Sequence, residues 1–153
     1  MPTWILATDF SDLATHARTR ALEQLAALGG GRLVIVHVHL PGTSIEGGVD
    51  LGLLGQTAII DRACLDDAEQ RIARERAECL GPADAPHHPN ITVETRVELG
   101  APPERIAAIA ADEHADQIVV GSPGRRGFER LLLGSVAERV VRLAPCSVLV
   151  VKS

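Results

Sequence analysis

The chain has 153 residues; 46% of them are hydrophobic, but only two Phe and one Trp are aromatic. This length suffices for one domain with a buried core that needs no disulfide. A formal net charge of -5 disfavours nucleic acid or an anionic membrane as the main partner, and the scarcity of aromatic residues removes the stacking platforms used on single strands.

Cysteine usage and hydropathy indicate the compartment. Cys64, Cys79 and Cys146 are odd in number and lack C-x-x-C spacing, so neither a zinc site nor a redox motif is favoured. No apolar run approaches the roughly 18 residues of a membrane span, and no signal peptide precedes the first apolar run. We therefore expect a soluble cytoplasmic protein with a single domain over residues 1–153.

The first part of the chain is predicted to form a βαβ unit. Trp4–Thr8 is an apolar run typical of a buried strand. Ser11 or Asp12 then caps a helix whose apolar residues recur at steps of three and four until the three glycines at 29–31 end it. A second strand is predicted over Leu33–Leu40, and a strand, helix and strand of this length indicate a right-handed crossover.

The middle of the chain is predicted to supply a loop, a long helix and an edge strand. Pro41–Gly55 is rich in glycine and reads as a mobile loop, either a lid over a ligand site or an insertion without a ligand role. Gln56–Leu80 has the spacing of an amphipathic helix. Gly81–Pro89 contains paired histidines, but its prolines favour a solvated turn over a metal site. Ile91–Val97 alternates like a strand at the sheet edge.

The last third is predicted to form two helices and two strands. A helix opens at Pro102, and Gln117–Val120 forms the fourth strand. Ser135 is predicted to be the N-cap of the last helix, and Ser147–Val151 is the fifth strand. The buried face of that helix is predicted to consist of Val136, Val140 and Leu143.

Five strands alternating with four helices predict an α/β fold. The expected architecture is a doubly wound five-stranded parallel sheet of order 3-2-1-4-5, with helices on both faces, in a Rossmann-like fold. In that order the connections after strands one and four diverge, and a crevice opens at their carboxyl ends. Thr8 and Asp9 are expected to line one side of the crevice, and Gly121 and the residues after it the other.

The fifth strand also predicts an oligomer. An apolar terminal strand at an open sheet edge is an aggregation hazard, which a symmetric partner would remove. We therefore expect a homodimer that pairs through Val148, Leu149, Val150 and Val151.

A glycine motif lies between the fourth strand and the last helix. Gly121-Ser122-Pro123-Gly124 is followed, after nine residues, by Gly134-Ser135. Glycine permits positive φ or close approach of a ligand, and a free helix N-terminus offers unpaired amides, so this stretch is a candidate phosphate cradle. A single glycine here is more often a tight connection, but Gly134 is not needed to end the strand. The Walker and G-x-G-x-x-G patterns are both absent.

With this motif in place, the chain resembles the universal stress protein family in its ATP-binding subclass, whose fold is adenine nucleotide alpha hydrolase-like. The resemblance covers nearly the whole chain. It rests on Ile5–Ser11, His37–His39, Ala115–Gly121 and Gly134–Val140. The family signature G-x2-G-x9-G-[ST] is met by Gly121, Gly124, Gly134 and Ser135.

The resemblance implies contacts to ATP, or to ADP or AMP, at ten positions. Ala7, Thr8 and Asp9 lie by the adenosine, and the backbone of Val38 faces the adenine. Val120 and Gly121 border the sugar and phosphates, and Gly124 meets phosphate. Gly134, Ser135 and Val136 contact the phosphate tail. Mg²⁺ accompanying the nucleotide is compatible with this site, and no protein metal site is predicted.

Several of these residues have alternative roles. Asp9 caps the first helix or bonds within its turn in the simpler interpretation. The loop arginines Arg125, Arg126 and Arg130 pair with phosphate or remain solvated. His37 and His39 share one strand face, as zinc ligands do, but no third ligand accompanies them.

The resemblance implies a module that binds adenine nucleotide and reports stress or energy state to an unknown downstream protein. A slow ATP hydrolase using the same pocket and a nucleotide-free dimeric scaffold are the alternatives. Efficient hydrolysis needs a cation clamp and a group that orients water. The sequence shows no Walker lysine, no acidic metal pair and no general base beyond Asp9, so we predict no efficient catalysis and no catalytic residue.

Overall fold

The computed structural model describes residues 1–41, 54–82, 87–122 and 134–152, in which strands and helices alternate. The strands are β1 (Thr3–Ala7), β2 (Gly31–His39), β3 (Ile91–Leu99), β4 (Gln117–Ser122) and β5 (Ser147–Lys152). The helices are α1 (Asp12–Ala27), α2 (Leu54–Leu80), α3 (Pro102–Asp112) and α4 (Ser135–Leu143). Each predicted helix and strand is present. Of the predicted loop at Pro41–Gly55, residues 42–53 lie outside the described residues, and Leu54 and Gly55 belong to α2.

The five strands form one parallel sheet in the order β3-β2-β1-β4-β5, which confirms the predicted topology. β1 lies at the centre, and its last residue, Ala7, is in register with Val36 of β2 and Val120 of β4. Because β2 and β4 lie on opposite sides of β1, the connections after β1 and β4 diverge. The switch point therefore falls between β1 and β4, as expected for a doubly wound sheet.

Helices cover both faces of the sheet. α1 and α2 pack on one face against residues such as Leu6, and α3 and α4 pack on the other against residues such as Ile5. Both side chains are fully buried although they are adjacent in β1. This burial on both faces explains why the central strands read as continuous apolar runs.

α1 begins and ends where the sequence predicts. Its N-cap is Ser11, whose hydroxyl oxygen accepts a hydrogen bond of 3.2 Å from the backbone N of Ala14. At the other end, Gly29 and Gly30 have φ of +89° and +115°, which only glycine adopts without strain. These glycines turn the chain from α1 into β2.

α4 differs from the prediction in two respects. Its N-cap is Gly134, with no side-chain capping bond, and Ser135 is the first helical residue and is exposed. The predicted buried face is correct for Val140, which is fully buried, and wrong for Val136 and Leu143, which are 41% and 44% exposed. Ala137, which was not predicted, is buried beside Val140. A prediction based on the bulk of apolar side chains does not detect so small a buried residue.

None of the helices in the described ranges combines the length and apolar character that a membrane crossing requires.

Candidate functional site

A cleft of about 170 Å³ opens at the carboxyl ends of β1 and β4. Most of the residues expected at the ligand site line it. These are Ala7, Thr8, Asp9, Val38, Val120, Gly121 and Val136. The predicted position of the site and the cleft of the folded chain therefore coincide.

Two of the other three expected residues are described, and both lie outside the lining of this cleft. Gly134 donates its backbone N–H to the hydroxyl oxygen of Ser122 at 3.0 Å. Ser135 lies beside a separate surface depression, together with Glu138 and arginines of α4. Gly124 lies outside the described residues, and so do the three loop arginines.

The backbone of Val38 faces the cleft. The pairing of β1 with β2 ends at Ala7 and Val36, but β2 continues for three more residues beside β3. The carbonyl of Val36 points toward β1, since it accepts a hydrogen bond of 2.9 Å from the N–H of Thr8. Backbone groups of a strand repeat their direction every second residue. The N–H and C=O of Val38 therefore point to the same side, beyond the end of β1.

Asp9 holds the turn between β1 and α1 and also lines the cleft. Its Oδ1 accepts hydrogen bonds from the backbone N of Ser11 at 3.0 Å and from the Ser11 hydroxyl at 2.5 Å. The alternative prediction that Asp9 bonds within the turn is thus confirmed, whereas the cap of α1 is Ser11. Within the described part of the chain no hydrogen bond uses Oδ2 of Asp9, which leaves this oxygen for a ligand.

Thr8 is 6% exposed, and its polar atoms are engaged within the protein. Its carbonyl oxygen lies 2.9 Å from Nδ1 of His37. Its hydroxyl donates to Oε1 of Glu75 at 3.2 Å and accepts from the backbone N of Phe10 at 3.1 Å. The Thr8 hydroxyl therefore orients the turn rather than a ligand.

The two histidines of β2 have separate protein partners. Burial lowers the pKa of His37 below its ordinary value of 6.5, so the ring is neutral at pH 7. Because a carbonyl oxygen only accepts, the proton resides on Nδ1 and is donated to Thr8. Nε2 of His39 lies 3.2 Å from Oδ1 of Asp61. The residues that the structure describes hold no cluster of three side chains able to bind a metal ion.

Gly121 is explained by helix packing. A Cβ at this position would lie 2.9 Å from the backbone O and 3.2 Å from the Cβ of Leu13. Its φ is not positive, so the expected left-handed turn is absent here. The atoms that approach Gly121 closely therefore belong to α1, whose first turn lies against the end of β4. The close approach of a ligand that the sequence predicts stays a prediction.

Ser122 has a structural role that the sequence analysis did not assign. It is fully buried, and its hydroxyl oxygen accepts a hydrogen bond from the N–H of Gly134 and so joins the end of β4 to the start of α4. The available signal was a serine at the end of a buried strand, in a chain with a second glycine at the next helix start.

The apolar wall of the cleft is formed by side chains of the sheet and of the helices α3 and α4. Val36 and Val38 of β2, Ile106 of α3 and Val136 of α4 all line the cleft. A flat aromatic ring buries well against such aliphatic side chains. With the backbone of Val38 at one edge and the carboxylate of Asp9 at the mouth, the cleft offers an apolar slot with polar groups at its rim.

The sheet order and this cleft define a Rossmann-like α/β protein with a cleft at its switch point. A family model described as "Universal stress protein family" matches residues 3–152. The chain belongs to the universal stress protein family.

Individual relatives agree with this assignment. The chain is 30% identical over 150 residues to the universal stress protein MJ0531 of Methanocaldococcus jannaschii, an alignment that covers 97% of this chain and 80% of the relative. The universal stress protein UspA from Lactobacillus plantarum matches the fold with a TM-score of 0.75 at 22% identity, over 98% of this chain and 97% of that one. A universal stress protein in complex with cAMP matches with a TM-score of 0.59 at 28% identity, over 98% and 96% of the two chains.

Proposed function

We propose that this protein binds ATP, or ADP or AMP, in the cleft between β1 and β4 and acts as a stress-response or energy-state signalling module in the cytoplasm. The observation that carries the proposal is the arrangement of Val38 and Asp9 around an apolar slot. The backbone N–H and C=O of Val38 match the donor and acceptor pattern of an adenine edge. Oδ2 of Asp9 is an acceptor for ribose hydroxyls.

The proposed contacts to the phosphates of the nucleotide rest on the start of α4 and on the signature G-x2-G-x9-G-S. The first-turn amides of a helix have no intrahelical partner and carry partial positive charge. In α4 the first intrahelical bond is donated by Glu138 to Gly134, so the amides of Ser135, Val136 and Ala137 remain for phosphate oxygens. Gly121 and Gly124 then border the phosphates from the β4 side. Since the described residues hold no preformed metal cluster, Mg²⁺ is expected only as a companion of the nucleotide.

The chemistry of one relative supports the choice of ligand. A universal stress protein 28% identical to this chain was solved in complex with cAMP, which is an adenine nucleotide. The apolar slot accommodates an adenine ring regardless of the number of phosphates. The first-turn amides of α4 favour ligands with an extended phosphate chain, which is why ATP is the leading candidate.

The edge strand β5 and the net charge of the chain bear on which partners the protein binds. β5 is an edge strand whose Val148, Leu149, Val150 and Val151 are half-buried, which supports a homodimer through this edge. The negative net charge argues against nucleic acid and membrane surfaces. We therefore propose that the signal passes to a downstream protein.

Calorimetric titration with ATP, ADP and AMP tests the proposal, with two matched variants. Asp9→Asn keeps the Oδ1 acceptor for Ser11 but replaces Oδ2 by a donor, and it is expected to weaken ATP binding by about tenfold. Asp12→Asn changes an exposed carboxylate in the first turn of α1 and is expected to bind as the wild type does. Equal affinity of both variants would refute the adenosine role of Asp9.

The alternatives predict different results. A nucleotide-free scaffold would give no heat of binding and no ATP or ADP in mass spectra of the denatured protein purified without added ligand. A slow ATP hydrolase would turn over ATP well above a Gly124→Ala, Gly134→Ala double variant. Among the described residues that line the cleft, Asp9 is the one acidic residue, whereas efficient hydrolysis requires a cation held by defined ligands.

A further inference from the structure

Phe10 occupies a conformation that aromatic residues rarely adopt. Its φ is +63°, in the left-handed region that favours glycine. Such a conformation persists only where the surroundings determine it, and it often lies at a functional site. Phe10 follows Asp9 directly, so the contacts that hold Phe10 also hold the turn that contains Asp9.

Three contacts hold Phe10 in place. Its backbone N–H donates to the Thr8 hydroxyl at 3.1 Å. Its ring stacks on the ring of His37, with centroids 4.5 Å apart. The guanidinium carbon of Arg71 lies 4.3 Å from the centroid of the Phe10 ring, in a cation–π contact.

Glu75 supports the same turn from one helical turn further along α2. Its Oε1 accepts the hydrogen bond from the Thr8 hydroxyl, and this orients the lone pair of that hydroxyl toward the N–H of Phe10. Arg71 and Glu75 are four residues apart and so lie on one face of the helix. That face therefore contacts Thr8 and Phe10, the residues on either side of Asp9.

Burial of the Glu75 carboxylate costs free energy of folding. The carboxyl of Glu75 is buried, burial raises its pKa, and in the described residues its Oε2 has no hydrogen-bond partner. Its nearest cation is Arg18, 3.7 Å away, which also forms a closer pair with Glu78 at 2.6 Å. An apolar side chain of the same length would fill the space without this cost. The requirement for an acceptor opposite Thr8 explains the presence of a carboxylate.

We propose that Glu75 and Arg71 are positioning residues of the nucleotide site: acting through Thr8 and Phe10, they hold the turn that presents Asp9 to the cleft. This inference rests on the proposed function. It assigns to α2, which supplies none of the ten expected contacts, control over the affinity of the site.

The pair Glu75→Gln and Glu75→Met tests the inference. Both variants remove the charge and keep the length of the side chain, but only Gln retains an oxygen that accepts from Thr8. Calorimetry with ATP is expected to give an affinity within about threefold of the wild type for Glu75→Gln and about tenfold weaker for Glu75→Met. The control, Glu78→Ala, removes a carboxylate of α2 that pairs with Arg18 and does not touch the turn.

A second readout separates positioning from a general structural role. Thermal unfolding of Glu75→Met is expected at or above the wild-type temperature, because the variant removes a buried charge. Exchange of the Phe10 amide with deuterium, measured without ligand, is expected to rise in Glu75→Met and not in Glu75→Gln. In Glu75→Met the affinity for ATP then falls while the unfolding temperature stays the same or rises. A variant that binds ATP less tightly because it is partly unfolded would show a lower unfolding temperature as well.

The outcomes distinguish the two proposals. If the wild type binds ATP but Glu75→Met binds it as tightly as Glu78→Ala, the positioning inference is wrong and the proposed function stands. If the wild type binds none of the three nucleotides, the proposed function fails and the inference fails with it.

Discussion

The hydroxyl of Thr8 donates a hydrogen bond of 3.2 Å to Oε1 of Glu75, which ties the residue after β1 to the C-terminal part of α2. The two residues are 67 positions apart in the chain. Thr8 also precedes Asp9, the acidic residue at the mouth of the cleft. The bond therefore connects a helix without ligand contacts to the proposed adenosine site.

The buried carboxyl of Glu75 predicts a specific pH dependence of stability. Burial raises its folded-state pKa above the ordinary value of 4.5, against the opposing effects of Arg18, Thr8 and Arg71, and Glu78 adds a like charge. The native state thus binds this proton more tightly than the unfolded state, so this group lowers stability as the pH rises from about 4.5 through the folded pKa.

Glu75→Gln is therefore expected to unfold at higher urea than the wild type near neutral pH. The difference should shrink as the pH falls below 4.5, where the carboxyl is protonated in both states. Urea unfolding at a series of pH values measures this difference. A gap that widens toward acid would contradict the assignment.

Arg71→Ala tests the contact with Phe10. A cation–π contact of this kind contributes about 0.5–1 kcal/mol. Loss of the contact between Arg71 and the Phe10 ring is therefore expected to weaken ATP binding by about threefold. Arg74→Ala removes an exposed arginine from the same helix and serves as the control. Identical calorimetric affinities for the two variants would show that Arg71 does not position the turn.

Gly121→Ala is expected to destabilise the fold. The new Cβ would lie 2.9 Å from the backbone O of Leu13, so α1 or the end of β4 must shift, at a cost of about 1–3 kcal/mol. Urea unfolding monitored by circular dichroism measures this cost. Unchanged stability together with lost nucleotide binding would instead show that the glycine serves the ligand alone.

Ser122→Ala removes the bond between the end of β4 and the start of α4. The N–H of Gly134 then loses its 3.0 Å acceptor, which is expected to cost about 1–2 kcal/mol of stability. Ser147→Ala, at an exposed serine that begins β5, is the matched control and is expected to change stability by less than about 0.5 kcal/mol. Equal unfolding midpoints would rule out this role of Ser122.

The sheet order and much of the site were predictable from local patterns. Buried parallel strands give apolar runs such as that around Ile5, and these runs alternate with helical periodicity, so the order 3-2-1-4-5 and its switch point follow. Thr8, Asp9 and Gly121 lie at strand ends, and the carboxyl ends of parallel strands meet at one edge. Their convergence at the cleft is therefore a consequence of topology.

The remaining features depend on packing between distant parts of the chain. No spacing predicts that the Thr8 hydroxyl meets Glu75, or that a Cβ at Gly121 would meet the carbonyl of Leu13. On α4, the bulk of the side chain favoured Val136 as a buried residue, but the helix is rotated so that the smaller Ala137 is buried and Val136 is 41% exposed. These outcomes are set by interatomic distances across layers, which composition and periodicity do not encode.

A crystal structure determined with excess ATP tests the central claim most directly. We expect the adenine between Val38 and the apolar wall, bonded to the Val38 backbone, with the ribose hydroxyls within hydrogen-bond distance of the Asp9 carboxylate. Phosphate density is expected toward the first turn of α4. A cleft that holds only water at saturating ATP, or a nucleotide bound elsewhere on the protein, would contradict the claim.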